Sequence, residues 1–388
     1  MSIVLPPPSP ILLMARRAAD LKAAGQPIID LTLGEPDFDA PPHVIDTAHA
    51  ALDSRRLGYS PANGLPELRS AIRNACARDR QLAYDDDEIT VGCGAKQIIF
   101  NAFLASIEPG DEVIIPAPYW ASYPDMVRAC AGQPVIIDCA VQNRMRLQPE
   151  QLQAAITPRT RWLIINAPGN PSGVLYSASE LVALGQVLLQ HPHVLIMSDD
   201  IYSHIRFDGE HQAFQALCGV VPALKERILT VDGVSKAYAM TGWRVGWGAG
   251  PRALIKNMIA IQSQNCTQTA SLSQIAAAAA LNGPQQCLRQ RNEIYRERRD
   301  AALSILQKTD LLSVNPPDGA FYLFPRLLGQ QCNGDLIADR LLDDYCVAVV
   351  PGSAFGVPDA LRLSFATEKT LLIEGCKRMV ECIESTRP

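Results

Sequence analysis

Seven short apolar runs, most of them parted by helix-period segments, constrain the fold of this chain more than any other feature. They are "EITVG", "DEVIIPAP", "QPVIID", "RWLIINAP", "HVLIMSDD", "RILTVDG" and "WRVGWGAG". Val and Ile dominate them, and Pro, Gly, Asn or Asp follows most. Between several lie helical patterns such as "AKQIIFNAFLASI" and "ASELVALGQVLLQ". A strand that is apolar along its whole length needs cover on both faces. The alternation therefore predicts an α/β fold: a large domain with a mostly parallel seven-stranded sheet flanked by helices.

In open sheets of this kind, ligands bind beyond the carboxyl ends of the strands. Four predicted strand ends carry reactive groups. "RWLIINAPGNPSG" brings Asn166 and Asn170, and "HVLIMSDDIY" brings Asp199, Asp200 and Tyr202. "RILTVDGVSK" ends on Ser235 and Lys236, with Arg244 a short loop later. "EITVGCGAKQ" places Gly92, Gly94, Ala95 and Lys96 at a helix start. Singly, each has an ordinary structural reading. Asn-Pro is a turn signal, Asp199 fits a cap, and "GCGAK" fits a tight turn that lacks the G-K-[ST] of a nucleotide P-loop. Lys236 alone reads as a loop lysine. In an apolar, glycine-rich setting, however, desolvation lowers its proton affinity and makes it a nucleophile or Schiff-base partner. Together the groups suit an anionic, aromatic, nitrogen-containing cofactor.

After about Ala270 the pattern changes. An Ala-rich helical stretch and the charged helix "CLRQRNEIYRERRDAALSIL" precede strand-like pieces "GAFYLFP", "VAVVPG" and "LRLSFA". A last amphipathic helix spaces Leu372, Cys376, Met379 and Ile383 for one buried face. With 388 residues the chain exceeds one simple core. The expected division is a large domain over 44–281 and a smaller α+β domain from 1–43 and 282–388.

Composition narrows the function class. Apolar residues make up 48%, charged residues 19%, and the net charge is −5, without a long basic run, so neither nucleic acid nor an anionic membrane is an expected partner. Eleven cysteines occur without a C-x-x-C pair, and six histidines lack ligand spacing. His191 and His193 flank Pro192 in an expected loop. No metal is expected, and the reducing cytoplasm fits best. The start "MSIVLPPPSPILLMARR" does not read as a signal peptide, and no run spans a membrane.

The motifs "LTLGEPDFDAPPHV", "GYSPANGLPELRSAI", "GAKQIIFNAF", "PAPYWASYPDMV", "NAPGNPSG", "SDDIYSHIRFDG", "SKAYAMTGWRVGW", "GAFYLFP" and "LRLSFAT" follow one another across nearly the whole chain. In identity and order they resemble the fold-type-I, class I/II aminotransferases dependent on pyridoxal 5'-phosphate, near the bacterial aspartate-aminotransferase-like branch.

The resemblance implies a homodimeric enzyme that moves the amino group of an L-amino acid to a 2-oxo acid by a ping-pong mechanism. Lys236 would form the internal aldimine and carry the proton. Asp199 would pair with the pyridinium nitrogen, and Tyr202 and Asn170 with the ring's phenolic oxygen. Trp120, or less well Tyr119, would stack on the ring. Gly94, Ala95 and Lys96 at the helix start, with Ser235 and Arg244, would hold the phosphate. Tyr59 would reach it from the other subunit. Arg362, Gly34 and Asn170 would bind the substrate α-carboxylate.

Two departures stand out. Asp200 replaces a frequent Glu and keeps the charge. Pro7 and Ile11 occupy the segment where relatives acting on acidic substrates often carry Lys and Thr. No clear basic residue for a side-chain carboxylate is evident, so a neutral or aromatic amino donor is open. A β-eliminating C–S lyase or a ring-forming synthase would use the same motifs. A non-catalytic cofactor sensor would need an N-terminal helix-turn-helix, for which the pattern's early start leaves no room.

Overall fold

A computed structural model of the chain describes residues 9–54, 57–207, 214–329 and 333–386, and Pro7 lies outside them. After the helix Pro10–Ala23 comes a short strand, β1 (Ile29–Asp30). The seven apolar runs form one sheet: β2 (Ile89–Gly92), β3 (Glu112–Ala117), β4 (Gln133–Asp138), β5 (Thr160–Asn166), β6 (Leu195–Asp199), β7 (Ile228–Gly233) and β8 (Gly246–Ala249). Their spatial order is β2-β8-β7-β6-β5-β3-β4. Only β8 runs against its neighbours; the remaining pairs are parallel.

The burial of the strands explains their composition. β2, β7 and β8 are buried at every position, and β5 and β6 nearly so. The edge strand β4 is half exposed and tolerates Pro134, which could not donate within a central ladder. The helices Ala95–Leu104 and Arg252–Asn265 cover one face, where Ile98, Phe103 and Met258 meet Trp162, Met197 and Val231. The helices Pro42–Asp53, Pro66–Arg80, Ala178–Leu189 and Ser271–Asn282 pack on the other.

A second apolar cluster is built from both ends of the chain. Met14 and Ala18 join Ile29 and Leu31, then Tyr295 and Leu303 of the helix Gln286–Leu306. Leu372, Cys376, Met379 and Ile383 of the helix Lys369–Glu384 are all buried there, as their spacing predicts. The strands of this part are short: β9 (Leu312–Ser313), β10 (Tyr322–Leu323), β11 (Arg326–Leu327), β12 (Val347–Ala348), β13 (Val350–Pro351) and β14 (Leu361–Ser364). β1 pairs in parallel with β12, which ties the start of the chain to its end. The change of texture near Ala270 is not a change of core. Ala276, Ala277 and Ala280 let the helix Ser271–Asn282 approach the helices Pro42–Asp53 and Pro66–Arg80, so it belongs to the large sheet's cluster.

Candidate active site

The reactive groups predicted at strand ends come together. β6 ends on Asp199, β5 on Asn166, and β7 leads through Val234 to Ser235 and Lys236. β2 leads through Cys93 and Gly94 into the helix Ala95–Leu104. These ends surround a cavity of ≈ 260 Å³, whose sheet side is lined by Asn166, Asn170, Asp199, Tyr202, Ser235 and Lys236. Ala95, Lys96, Ile99, Trp120 and Arg244 form a second wall. Ile11, Gly34, Tyr322 and Arg362 close the remaining side.

The Lys236 Nζ donates to the Gly34 carbonyl at 2.7 Å. Burial lowers its proton affinity to about 8; Glu35 and Asp199 oppose the shift, and Arg244 and Arg362 add to it. The Asp199 carboxyl is buried and pushed up to about 6, chiefly by that burial. Tyr123 opposes the shift by donating its hydroxyl to Asp199 Oδ2 at 2.5 Å. The Ile201 amide reaches Asp199 Oδ1 at 3.3 Å, so the capping role read from the sequence coexists with the cavity-facing one.

Asn166 organises the neighbouring turn. Its amide donates to the Asp199 carbonyl at 2.8 Å, and its Oδ1 accepts from the Asn170 amide at 3.1 Å. Asn170 Oδ1 in turn accepts from Arg362 Nη1 at 3.2 Å, and Arg362 Nη2 donates to the Thr32 carbonyl. Arg362 Nε is buried without a hydrogen-bond partner among the described residues. Burial also lowers the proton affinity of this guanidinium, which is lined up to receive an anion.

Gly94 stands at φ +82°, and a Cβ on it would lie 2.5 Å from Arg244 Nη2. The guanidinium itself is held by the Thr241 carbonyl at 2.9 Å and the Cys93 carbonyl at 3.3 Å. The helix that begins at Ala95 has no side-chain cap, so its first amide groups and Arg244 face one small cradle. Only glycine leaves that cradle open.

Trp120, not Tyr119, lines the cavity; Tyr119 packs against Gly356 and belongs to a separate small pocket. The Lys96 ammonium lies 4.8 Å over the Trp120 ring and 3.3 Å from Ser122 Oγ, with its proton affinity lowered by burial and by Arg244. Tyr59 is 92% exposed and takes no part in the wall of its own chain's cavity. The sequence reading missed Tyr123, Tyr322, Ile99 and Ile201. Tyr123 lies on the helix Ser122–Ala129, three residues after Trp120, which precedes that helix, and nothing in the spacing signals its partner Asp199.

The donor set tests the expected cofactor. An amine of lowered basicity, a buried carboxylate, an aromatic wall and an anion cradle fit an aldehyde, a ring nitrogen, a ring face and a phosphate. No group of three or more metal-binding side chains occurs among the described residues, and none of their helices is long and apolar enough to cross a membrane.

Fold and cavity thus define an α/β protein with a buried lysine at the strand ends of its main sheet, in a cavity whose groups fit an organic, phosphorylated cofactor. Residues 26–379 match the family described as aminotransferase class I and II. The chain belongs to that family, which uses pyridoxal phosphate, and is an aminotransferase. It is 49% identical over 382 residues to an aspartate aminotransferase of Rhizobium meliloti (strain 1021), spanning 96% of this chain and 92% of that one. It is 44% identical over 384 residues to an aspartate/prephenate aminotransferase of Cereibacter sphaeroides (96% and 95%). A crystal structure of the Rhizobium meliloti aspartate aminotransferase superposes with a TM-score of 0.92, at 46% identity, covering 98% of this chain and 99% of that one. The Thermus thermophilus aspartate aminotransferase with maleate gives 0.89 at 37% identity and covers 97% of both chains.

Proposed function

We propose that this aminotransferase works on an acidic amino acid and a 2-oxo acid, with Lys236 as its proton carrier. The observation that carries the reading is the convergence of Lys236, Asp199 and Arg362 on one cavity. Pyridoxal phosphate, when bound, supplies an electron-accepting ring for the pair left by the substrate's Cα–H bond. Lys236, whose burial lowers its proton affinity to about 8, would take the proton from the substrate's Cα and hand it to the cofactor carbon that bears the amino nitrogen. Asp199 holds positive charge at the ring nitrogen. Tyr202 and Asn170 serve the phenolic oxygen, and Trp120 stacks on the ring. The backbone amides at Gly94, Ala95 and Lys96, with Ser235 and Arg244, would hold the phosphate. Arg362 grips the α-carboxylate, with the backbone of Gly34 and the Asn170 side chain beside it.

The substrate reading rests on Lys96. The N-terminal segment offers Ile11 and no cation, but the Lys96 ammonium stands in the cavity wall over Trp120. It is a partner for a second carboxylate, and the relatives named for aspartate or prephenate act on dicarboxylates.

We also propose a homodimer in which Tyr59 of each chain completes the neighbour's phosphate site, consistent with its 92% exposure. The proposed division is a large domain over 44–281 and a smaller one from 1–43 and 282–388; the two main apolar clusters support it, although Leu288 joins the first and Tyr202 and Ile205 the second, and the ten described cysteines, all free, suit the cytoplasm.

A half-reaction screen tests the reading. Holoenzyme is mixed with each amino acid singly and the visible absorbance is followed. Rapid bleaching by aspartate or glutamate, lost in Lys96→Met, is expected. Preference for neutral donors would overturn the acidic reading. Release of pyruvate and ammonia from cystathionine without an oxo acid would reveal a lyase instead.

A further inference from the structure

Tyr322 lies in the cavity wall and is fully buried. None of the roles above uses it. It sits on β10 opposite Ser364, which makes Arg362 its diagonal neighbour on the same face of the β10–β14 pair. The Arg362 guanidinium stands 4.7 Å from the centre of the Tyr322 ring. At the far end of that ring, the Tyr322 hydroxyl meets the Tyr202 hydroxyl at 2.8 Å. One side chain therefore touches both the group assigned to the substrate carboxylate and the group assigned to the cofactor's phenolic oxygen.

Core packing accounts for part of this placement: the Tyr322 ring belongs to the second apolar cluster, 4.7 Å from the Phe321 ring and 5.8 Å from that of Tyr202. It does not account for the hydroxyl or for the guanidinium over the ring. Tyr322 points at Gly34, where a Cβ would come within 3.3 Å of its hydroxyl. Gly34 is also the residue whose carbonyl holds Lys236. The charged and titratable groups around the pair are Arg362 and Glu35 beside Tyr322, and Asp199 beside Tyr202.

We propose that Tyr322 is a positioning residue for the amino-transfer reaction: its hydroxyl aims the Tyr202 hydroxyl and its ring supports the Arg362 fork, fixing the distance between cofactor and substrate carboxylate. The proposal rests on the roles given above to Lys236, Tyr202 and Arg362. Either hydroxyl can donate in this pair; once Tyr202 donates to the phenolic oxygen, its own oxygen is left to accept from Tyr322. A hydroxyl that receives one hydrogen bond is a better donor of the next, so loss of the Tyr322 hydroxyl weakens what Tyr202 offers the phenolic oxygen. Loss of the ring leaves a buried guanidinium without the aromatic face that holds it in plane.

The two functions separate experimentally. Tyr322→Phe keeps the ring and drops the hydroxyl; Tyr322→Leu drops both. Two readouts are taken on holoenzyme: the pH midpoint of the visible band, and the affinity for maleate, an unreactive dicarboxylate, by calorimetry. The Phe variant is expected to raise the band midpoint and lower kcat while leaving maleate affinity and KM in place. The Leu variant is expected to lose roughly tenfold in maleate affinity as well, as removal of a desolvated cation–π contact would give. An unchanged midpoint in the Phe variant overturns the hydroxyl's role, and full maleate affinity in the Leu variant overturns the ring's. A merely structural Tyr322 would lower the melting temperature and move neither readout. Lys236→Ala and Arg362→Leu are the controls. If these keep the band and the maleate affinity, the site reading itself fails and the proposal falls with it. If they lose them while Tyr322 variants are silent, only the proposal falls.

Discussion

The Tyr123 hydroxyl donates to Asp199 Oδ2 at 2.5 Å, and both side chains are buried. This bond opposes the burial that raises the Asp199 proton affinity, and holds the carboxyl near 6. Tyr123→Phe removes the donor and retains the ring. The Asp199 proton affinity is then expected to rise above 6, so that the acid limb of the kcat profile moves to higher pH. A charge-assisted hydrogen bond of this kind contributes about 1.5–3 kcal/mol. A pH–rate profile that does not move would show that Tyr123 has no hold on the carboxyl.

Burial of Lys236 has a thermodynamic signature in the apoprotein. Its proton affinity falls from 10.5 to about 8, so above pH 8 the unfolded chain binds a proton that the folded chain has released. Stability contributed by this group therefore rises with pH between about 8 and 10.5. Lys236→Met should stabilise the apoprotein at pH 7 by up to about 3 kcal/mol, the equivalent of that fall in affinity. The gain should fall to near zero at about pH 11 and above, where both states hold a neutral amine. Denaturant unfolding of both apoproteins at the two pH values measures it. A gain that is the same at both would mean that buried charge is not its origin.

Arg80, at the end of the helix Pro66–Arg80, is buried between Asp200 at 3.4 Å and Asp232, and reaches Ser203 Oγ at 2.9 Å. It thereby clamps the ends of β6 and β7, the strands that deliver Asp199 and Lys236. Burial pushes the Asp200 carboxyl up to about 7 even with this cation beside it. Arg80→Met leaves two buried carboxyls without a cation and should cost about 3–5 kcal/mol in unfolding free energy. Adding Asp232→Asn should restore part of that loss. Strict additivity of the two substitutions would mean that the charges are not coupled.

Gly94→Ala tests the anion cradle. An alanine at φ +82° is strained by about 1–3 kcal/mol, and its methyl would meet the Arg244 guanidinium. Titration of the apoprotein with pyridoxal phosphate should show affinity reduced by tenfold or more, whereas pyridoxal, which lacks the phosphate, should lose far less. Equal losses for the two would place the phosphate elsewhere.

The large sheet was readable because its strands are apolar on both faces, so β2 to β8 each stand out as an uninterrupted run. The polar groups of the cavity were readable for the same reason: Asp199, Asn166 and Lys236 follow directly where such runs stop. What pairwise geometry decides was not readable. Tyr123 meets Asp199, and Tyr322 meets Tyr202, across many intervening residues. Nothing in "ASYPDMV" marks Tyr123 as a partner of Asp199, and nothing in "GAFYLFP" marks Tyr322 as a cavity group and Phe321 as packing. Lys96 was read for its helix start, but its side chain extends away from the cradle to Trp120, a direction set by rotamer rather than by spacing.

The pairing of β1 with β12 gives the molecule an order of assembly. On the ribosome, Asp199, Lys236 and Arg244 emerge well before Arg362, and the strand at Ile29–Asp30 waits for Val347–Ala348 until most of the chain has been made. The cavity wall at the ends of β6 and β7 is thus synthesised before the wall that carries Arg362, and the strand at Ile29–Asp30 is among the last elements to find its partner.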